Sequence, residues 1–395
     1  MNTYDPNIRV GINTMVSMAM GTKGIAPIVN SLNQKYNTLK TDGFGWSTEM
    51  TATFQYSQIE VTDNIAVIPD VVDKASRGTS LRTEGFEART DEIPRFAKHI
   101  AFDEKTFRDQ FYLFKQLKYA MTGSIKDSVR ALMYNSMNTL WQGYDNLLTL
   151  MRNQIVSTGT LEFTTFFPTS NLRDKVYGFG IKSLDANTAE KLWWKNDIHT
   201  VVNEGKNSDP ISDLIAIRRS MDLFNPDGKF EMSKRLFEDL QTHSKVLIMM
   251  GRNAFPNTNA DNDVILGLAR TIVINGGFKD ALKRLIGCDI VIVDGKAAFN
   301  EVDVENRQPK TVYRESFESN NVAYIPYGKL GEIQSSMPML MGDVNSSDVS
   351  YGYAGRLQFL NTINELEKTR RIDAELTAIP VPEVANKMVV KTVTK

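Results

Sequence analysis

Very little in this chain marks an enzyme or a membrane protein. One cysteine in 395 residues, Cys288, excludes an internal disulfide. It sits in the apolar run IGCDIVIVD and is expected to be a buried strand residue. The three histidines, His99, His199 and His243, lie far apart in different local patterns, and isolated histidines of this kind are usually surface or satisfied core residues. No HExxH, paired CxxC, GxSxG or Walker loop occurs, so no catalytic residue, cofactor-binding residue or metal ligand is assigned. No apolar run approaches the ~20 residues that span a bilayer. The opening MNTYDPNIRV lacks the charged-then-apolar order of a signal peptide. A soluble intracellular product is expected. The net charge of −1 provides no overall field to attract or repel nucleic acid.

Two stretches imitate ligand sites and fail on detail. NTNADND (257–263) alternates oxygen ligands as a calcium loop does, but its sixth position is not glycine, and Leu268 stands where a bidentate Glu belongs. It reads as a polar loop whose last acids cap the helix that follows. INGGFKD (274–280) has paired glycines before a helix, which is a turn more often than a phosphate cradle.

What the chain does have is a core and a strut. An apolar share of 42% and a charged share of 24% suit one large domain or two to three smaller ones. Residues 124–157 read as one unbroken helix, with Ser124 and Asp127 at its start in a capping-box pattern. Apolar residues recur every three or four positions from Ile125 to Ile155 in a broad stripe with no internal proline. Such a span would be roughly 50 Å long. It is either an ordinary core helix of a large domain or a beam with a purpose of its own.

Around the strut the texture changes several times. Residues 1–47 are polar and turn-rich, and read as an extended arm that lies on something else or as a disordered terminus. Their first 40 positions hold Arg9, Lys23, Lys35 and Lys40 against Asp5. From 48 to 102, short β-patterned pieces (TATFQYSQIEV, NIAVIPD, TSLRTEGFEAR, RFAKHIAF) surround a charged tip. They suggest a hairpin-like excursion or a small antiparallel sheet. A shorter amphipathic helix, DEKTFRDQFYLFKQLKYAM, precedes the strut. Beyond 207 the pattern is mixed α/β: a helix opened by Asp209 and Pro210, KFEM, the helix SKRLFEDLQTH, a strand KVLIMM, two more helices, CDIVIVD, and a strand–turn–strand over 321–333. Extended segments return at the end, where Pro380 and Pro382 predict a strand edge or strand end.

Three passages in this order carry a family resemblance. RTDEIPRFAKHIAFDEKTF (89–107), KLWWKNDIHTVVNEGKNSDPISDLIAIRRSM (191–221), and DIVIVDGKAAFNEV with NNVAYIPYGKLGEIQSSMP (289–302, 320–338) resemble the lambda-type capsid protein E family. The order of elements is similar to that of the Hong Kong 97-type major capsid fold. The resemblance implies an α+β subunit divided into an N-terminal arm (1–47), an extended loop or E-loop (48–98), a peripheral domain (99–206 and 339–395) with the spine helix, and an α/β axial domain (207–338). It implies a non-enzymatic structural role as a major capsid protein of a tailed bacteriophage (Caudoviricetes). That role is self-assembly as hexamers and pentamers into an icosahedral shell around double-stranded DNA, in the virion and, during assembly, the host cytoplasm. A separate scaffolding protein, a portal protein, a maturation protease and a decoration protein are the implied partners, with non-specific electrostatic contact to DNA and none to membrane. Lys74, in the proposed loop tip, would be the candidate for a crosslink of the type some members form, although a lone loop-tip lysine ordinarily just solubilises. An encapsulin-like nanocompartment shell and a mixed α/β enzyme are the alternative readings.

Overall fold

The computed structural model describes residues 28–32, 39, 41–60, 87–102, 125–164, 174–184, 209–256, 261–302, 309–337, 349–364 and 369–393. Helix α1 (Ile125–Thr158, 34 residues) is the strut expected from the sequence. It stops at Gly159, whose φ of 76° is the left-handed turn that ends many helices, and whose N–H donates to the Ile155 carbonyl at 2.9 Å. Met133, Met137, Leu140, Trp141, Tyr144 and Leu148 form its buried stripe, while Leu147 is only half-buried. From Met151 to Ser157 the helix is buried on every side. Ser124 and the shorter helix expected before it lie outside the described residues.

Strands β1 (Phe44–Trp46), β2 (Gln55–Glu60), β3 (Glu87–Glu92) and β4 (Arg95–Phe102) precede the helix. β5 (Thr160–Glu162), β6 (Val176–Gly178) and β7 (Lys182–Leu184) follow it. Next come β8 (Lys229–Ser233), β9 (Ile290–Val293), β10 (Lys296–Val302) and β11 (Pro309–Glu315). The last are β12 (Asn321–Ile325), β13 (Gly331–Ser335), β14 (Val349–Ala354), β15 (Leu357–Asn364), β16 (Thr369–Pro382) and β17 (Val389–Thr392).

The larger sheet runs β1-β13-β16-β15-β14, with β4 also on β16. Alternate residues of β16 (Ile372, Ala374, Leu376, Ala378) are buried, and α1 packs on β16 and β4. The Tyr144 hydroxyl donates to the Ala374 carbonyl and pins helix to sheet. Pro380 and Pro382 fall at the end of β16, in the part paired with β13, where fewer ladder donors are needed.

β2 and β3 form their own antiparallel ladder from Gln55↔Glu92 to Glu60↔Glu87, while β4 turns away to join β16. The excursion therefore leaves the sheet as a hairpin. Its base is tied down by buried Gln58, whose amide donates to the Phe179 and Pro382 carbonyls at 3.1 Å each. The two middle strands expected there, NIAVIPD and most of TSLRTEGFEAR, lie outside the described residues.

The end of the expected N-terminal arm is corrected. Ile28, Val29, Leu32, Leu39 and Phe44 are buried in the chain's main core, and β1 pairs in parallel with β13. Sparse apolar residues at helical spacing (28, 29, 32) were hidden by the polar average of 1–47.

The smaller sheet runs β7-β17-β12-β8-β9 and carries α2 (Pro210–Ser220), α3 (Lys234–Thr242), α4 (Ser244–Ala254), α5 (Asn262–Ile274) and α6 (Phe278–Ile286). KVLIMM is not a strand, as expected, but part of α4. Its buried residues Val246, Leu247, Met250 and Gly251 show the i, i+1, i+4, i+5 spacing of a helix, which five consecutive apolar letters conceal. The strand–turn–strand at 321–333 is present but is no hairpin: β12 belongs to the smaller sheet and β13 to the larger. Likewise β17 and β7 join the smaller sheet, so chain ranges and sheets interleave more than the expected boundaries allow. Two apolar cores result, one under each sheet.

Candidate functional site

The two cores meet at the end of α1, around charges that the sequence reading passed over. Arg152 and Glu231 side chains are 4% and 1% exposed. The guanidinium grips the carboxylate in two places, at 2.6 and 2.8 Å. Lys229 stands 3.1 Å from the same carboxylate. The Arg152 Nε donates to the Asp42 carbonyl at 3.2 Å, and its terminal nitrogen lies 3.5 Å from the Asp42 carboxylate. Burial works against ionising Glu231, but Arg152 and Lys229 outweigh it and hold its carboxyl below the ordinary 4.5.

The network continues along the helix. Asn153 accepts from Arg152 at 3.0 Å and donates to the Ser316 hydroxyl at 2.8 Å, which donates to the Gly295 carbonyl at 2.9 Å. The Ser157 hydroxyl accepts from the Glu318 N–H at 3.1 Å, and the Ser157 carbonyl accepts from the Asn321 amide at 2.8 Å. One helical turn and a half thus fastens the segment at 42, strand β8, the base of the β10–β11 hairpin and the start of β12. Its chemistry is positional: Arg152, Asn153 and Ser157 are each held by fixed partners. The signal for it in the sequence was the cluster RNQ followed by Ser157 near the end of the helix.

The residues singled out from the sequence are scattered. His99 is exposed on β4, opposite Asp373 of β16. His243 is buried between α3 and α4, in the other domain. His199 and Lys74 lie outside the described residues. Cys288 sits half-buried in a bend before β9, not within the strand as expected. Burial pushes its thiol up to about 11. Asp261 occupies the N-cap of α5, but its side chain makes no capping hydrogen bond, contrary to expectation. Gly276 and Gly277 form the turn before α6. Among the described residues no group of three or more His, Cys, Asp or Glu side chains is arranged to hold a metal ion.

The outer surface holds a second feature. Among the described residues, large apolar side chains stand exposed around the helices of the smaller sheet, with Leu223 in the turn after α2 84% and, on α5, Val264 55% and Ile274 82% accessible.

No protein-family model matches the chain, and no curated protein does. Among solved structures it is similar to a phage-related protein from Bordetella bronchiseptica RB50, at 12% identity over 93% of this chain and 96% of that one, with a TM-score of 0.43. It is similar to the capsid of a native GTA particle at 11% identity, over 93% and 91% of the two chains, with a TM-score of 0.42. The satellite phage P4 procapsid is similar at 11% identity, over 93% and 99%, with a TM-score of 0.39.

Proposed function

We propose that this chain is the major capsid protein of a tailed double-stranded DNA phage, a Hong Kong 97-type subunit that assembles as hexamers and pentamers into an icosahedral shell. The observation that carries the reading is helix α1, which lies along one sheet and ends locked by Arg152 into the second domain. A beam of roughly 50 Å joined without slack to a separate core suits a wide, thin plate better than a cleft. In this reading the larger sheet with α1 is the peripheral domain, and the smaller sheet with α2–α6 is the axial domain. The β2–β3 hairpin is the base of the loop that lies over a neighbouring subunit, and the residues before 28 are the arm.

The role is structural and not catalytic. Basic residues at 9 and 23 suit loose, sequence-independent contact with packaged DNA. A scaffolding protein, a portal protein, a maturation protease and a decoration protein complete the assembly, which starts in the host cytoplasm and ends as the virion wall.

Negative-stain electron microscopy of the purified chain, alone and with a candidate scaffolding protein, tests this. Closed polyhedral shells, or hexamers and pentamers, support it, and nuclease-protected DNA inside them separates a virion from a compartment loaded with protein cargo. A uniform monomer under both conditions overturns it.

A further inference from the structure

Helix α5 is the odd member of its domain. Eight of its 13 residues are apolar, yet only Ile265 and Ala269 are buried. Those two meet α4 at Gly251, where a Cβ would lie 2.6 Å from the Ile265 side chain, so the backbones approach closely on that side alone. The opposite side carries Val264, Gly267, Leu268 and Thr271 at the i, i+3, i+4, i+7 spacing of a second seam, with Ile274 beyond it. No charge interrupts that seam. A Cβ added at Gly267 would touch nothing, so the seam has an open notch at its middle.

Packing among the helices runs α2 on α6, α6 on α4, and α4 on α5, with α3 also on α4, so α2 and α5 stand apart with two helices between them. The outward face of α2 is the counterpart of the seam. Ser212, Ala216 and Ser220 make it small and flat, and Leu223 projects just past its end. The hydroxyls on both faces are already satisfied within their own helices or caps. Ser212 donates to Asp209 at 2.8 Å, Ser220 to the Ile217 carbonyl at 2.7 Å, and Thr271 to the Leu268 carbonyl at 2.6 Å. Covering them therefore leaves no polar group stranded. Exposed charges of both signs flank each face, Arg219 and Asp222 on one, Asp263 and Arg270 on the other.

We infer that the α5 seam of one copy packs against the α2 face of a second copy, head to tail, with Leu223 entering the notch at Gly267. This rests on the shell-subunit reading and names the contact that would close its rings. A seam of 13 residues offers roughly 200 Å², well below the ~800 Å² per partner of a stable pair. A lone helical ligand would hold poorly on it. A ring of copies, each held on two sides, needs no stronger contact, because a head-to-tail interface closes when its rotation does.

The test uses Leu223→Asp and Val264→Asp, both at exposed positions, so each subunit should melt as the unmodified chain does. Sedimentation of the unmodified chain should show capsomers or shells, and each variant should sediment as a monomer. In a Cys288→Ser background, Leu223→Cys and Val264→Cys copies with a short bis-maleimide should give crosslinked dimers when mixed and none when either is treated alone. Assembly by both aspartate variants, or dimers of Val264→Cys with itself, overturns the inference while leaving the capsid reading intact. An unmodified chain that stays monomeric both alone and with a scaffolding protein overturns both.

Discussion

The last turns of α1 and the whole of α5 are opposites. Residues 151–157 include Arg152, Asn153, Gln154 and Ser157 and are buried all round. Residues 262–274 are mostly apolar and largely exposed. A polar segment survives burial when the same chain supplies partners for its groups, as Glu231, Ser316 and Asn321 do here for all but the Gln154 side-chain oxygen. An apolar segment left in water makes sense when the partner is another molecule. One region is finished by folding and the other by association.

Breaking the first region should have the largest effect. Glu231→Gln leaves Arg152 charged and buried with only the exposed Asp42 carboxylate near it, and should lower unfolding free energy by about 3–5 kcal/mol in urea titrations. The double variant Arg152→Met/Glu231→Leu should recover most of that loss, which would show that the pair specifies geometry more than it stabilises. The α5 substitution Val264→Asp should leave the same titration unchanged within about 0.5 kcal/mol, although it removes an apolar side chain.

Leu148→Ala should cost about 2–5 kcal/mol, because that side chain is fully buried under the larger sheet. Leu147→Ala, one position along and half-buried, should cost clearly less. Equal losses would mean that the helix is rotated from the face described.

Acid should weaken the junction. The Glu231 carboxyl is depressed in the folded state, so its contribution is complete above the ordinary value of 4.5 and is lost as pH falls below it toward the folded value. Urea midpoints measured from neutrality down through that window should fall more steeply for the unmodified chain than for Glu231→Gln. The smallest effect expected is a gain. Gly143 lies exposed in mid-helix, with nothing near a prospective Cβ. Gly143→Ala should raise stability by about 0.5–1 kcal/mol, readable as a higher melting temperature.

Periodicity made much of the fold legible. The extent of α1, the start of α2 at Asp209–Pro210, the helix–strand alternation after 229 and the strand end at Pro380–Pro382 could all be read from spacing and turn chemistry. KVLIMM could not, since an unbroken apolar run has no period to read. The home-packed residues Ile28, Val29, Leu32, Leu39 and Phe44 could not either, because a few anchors among many polar residues look like an arm.

The sequence by itself determined where the backbone would be helical or extended, since those preferences reside in neighbouring residues. Tertiary structure alone decided that Arg152 would meet Glu231 across 79 positions, that adjacent strands β12 and β13 would enter different sheets, and that the α5 seam would be left uncovered. Each of these depends on which distant surface arrives to take up a hydrogen bond or an apolar face, and no local pattern encodes that.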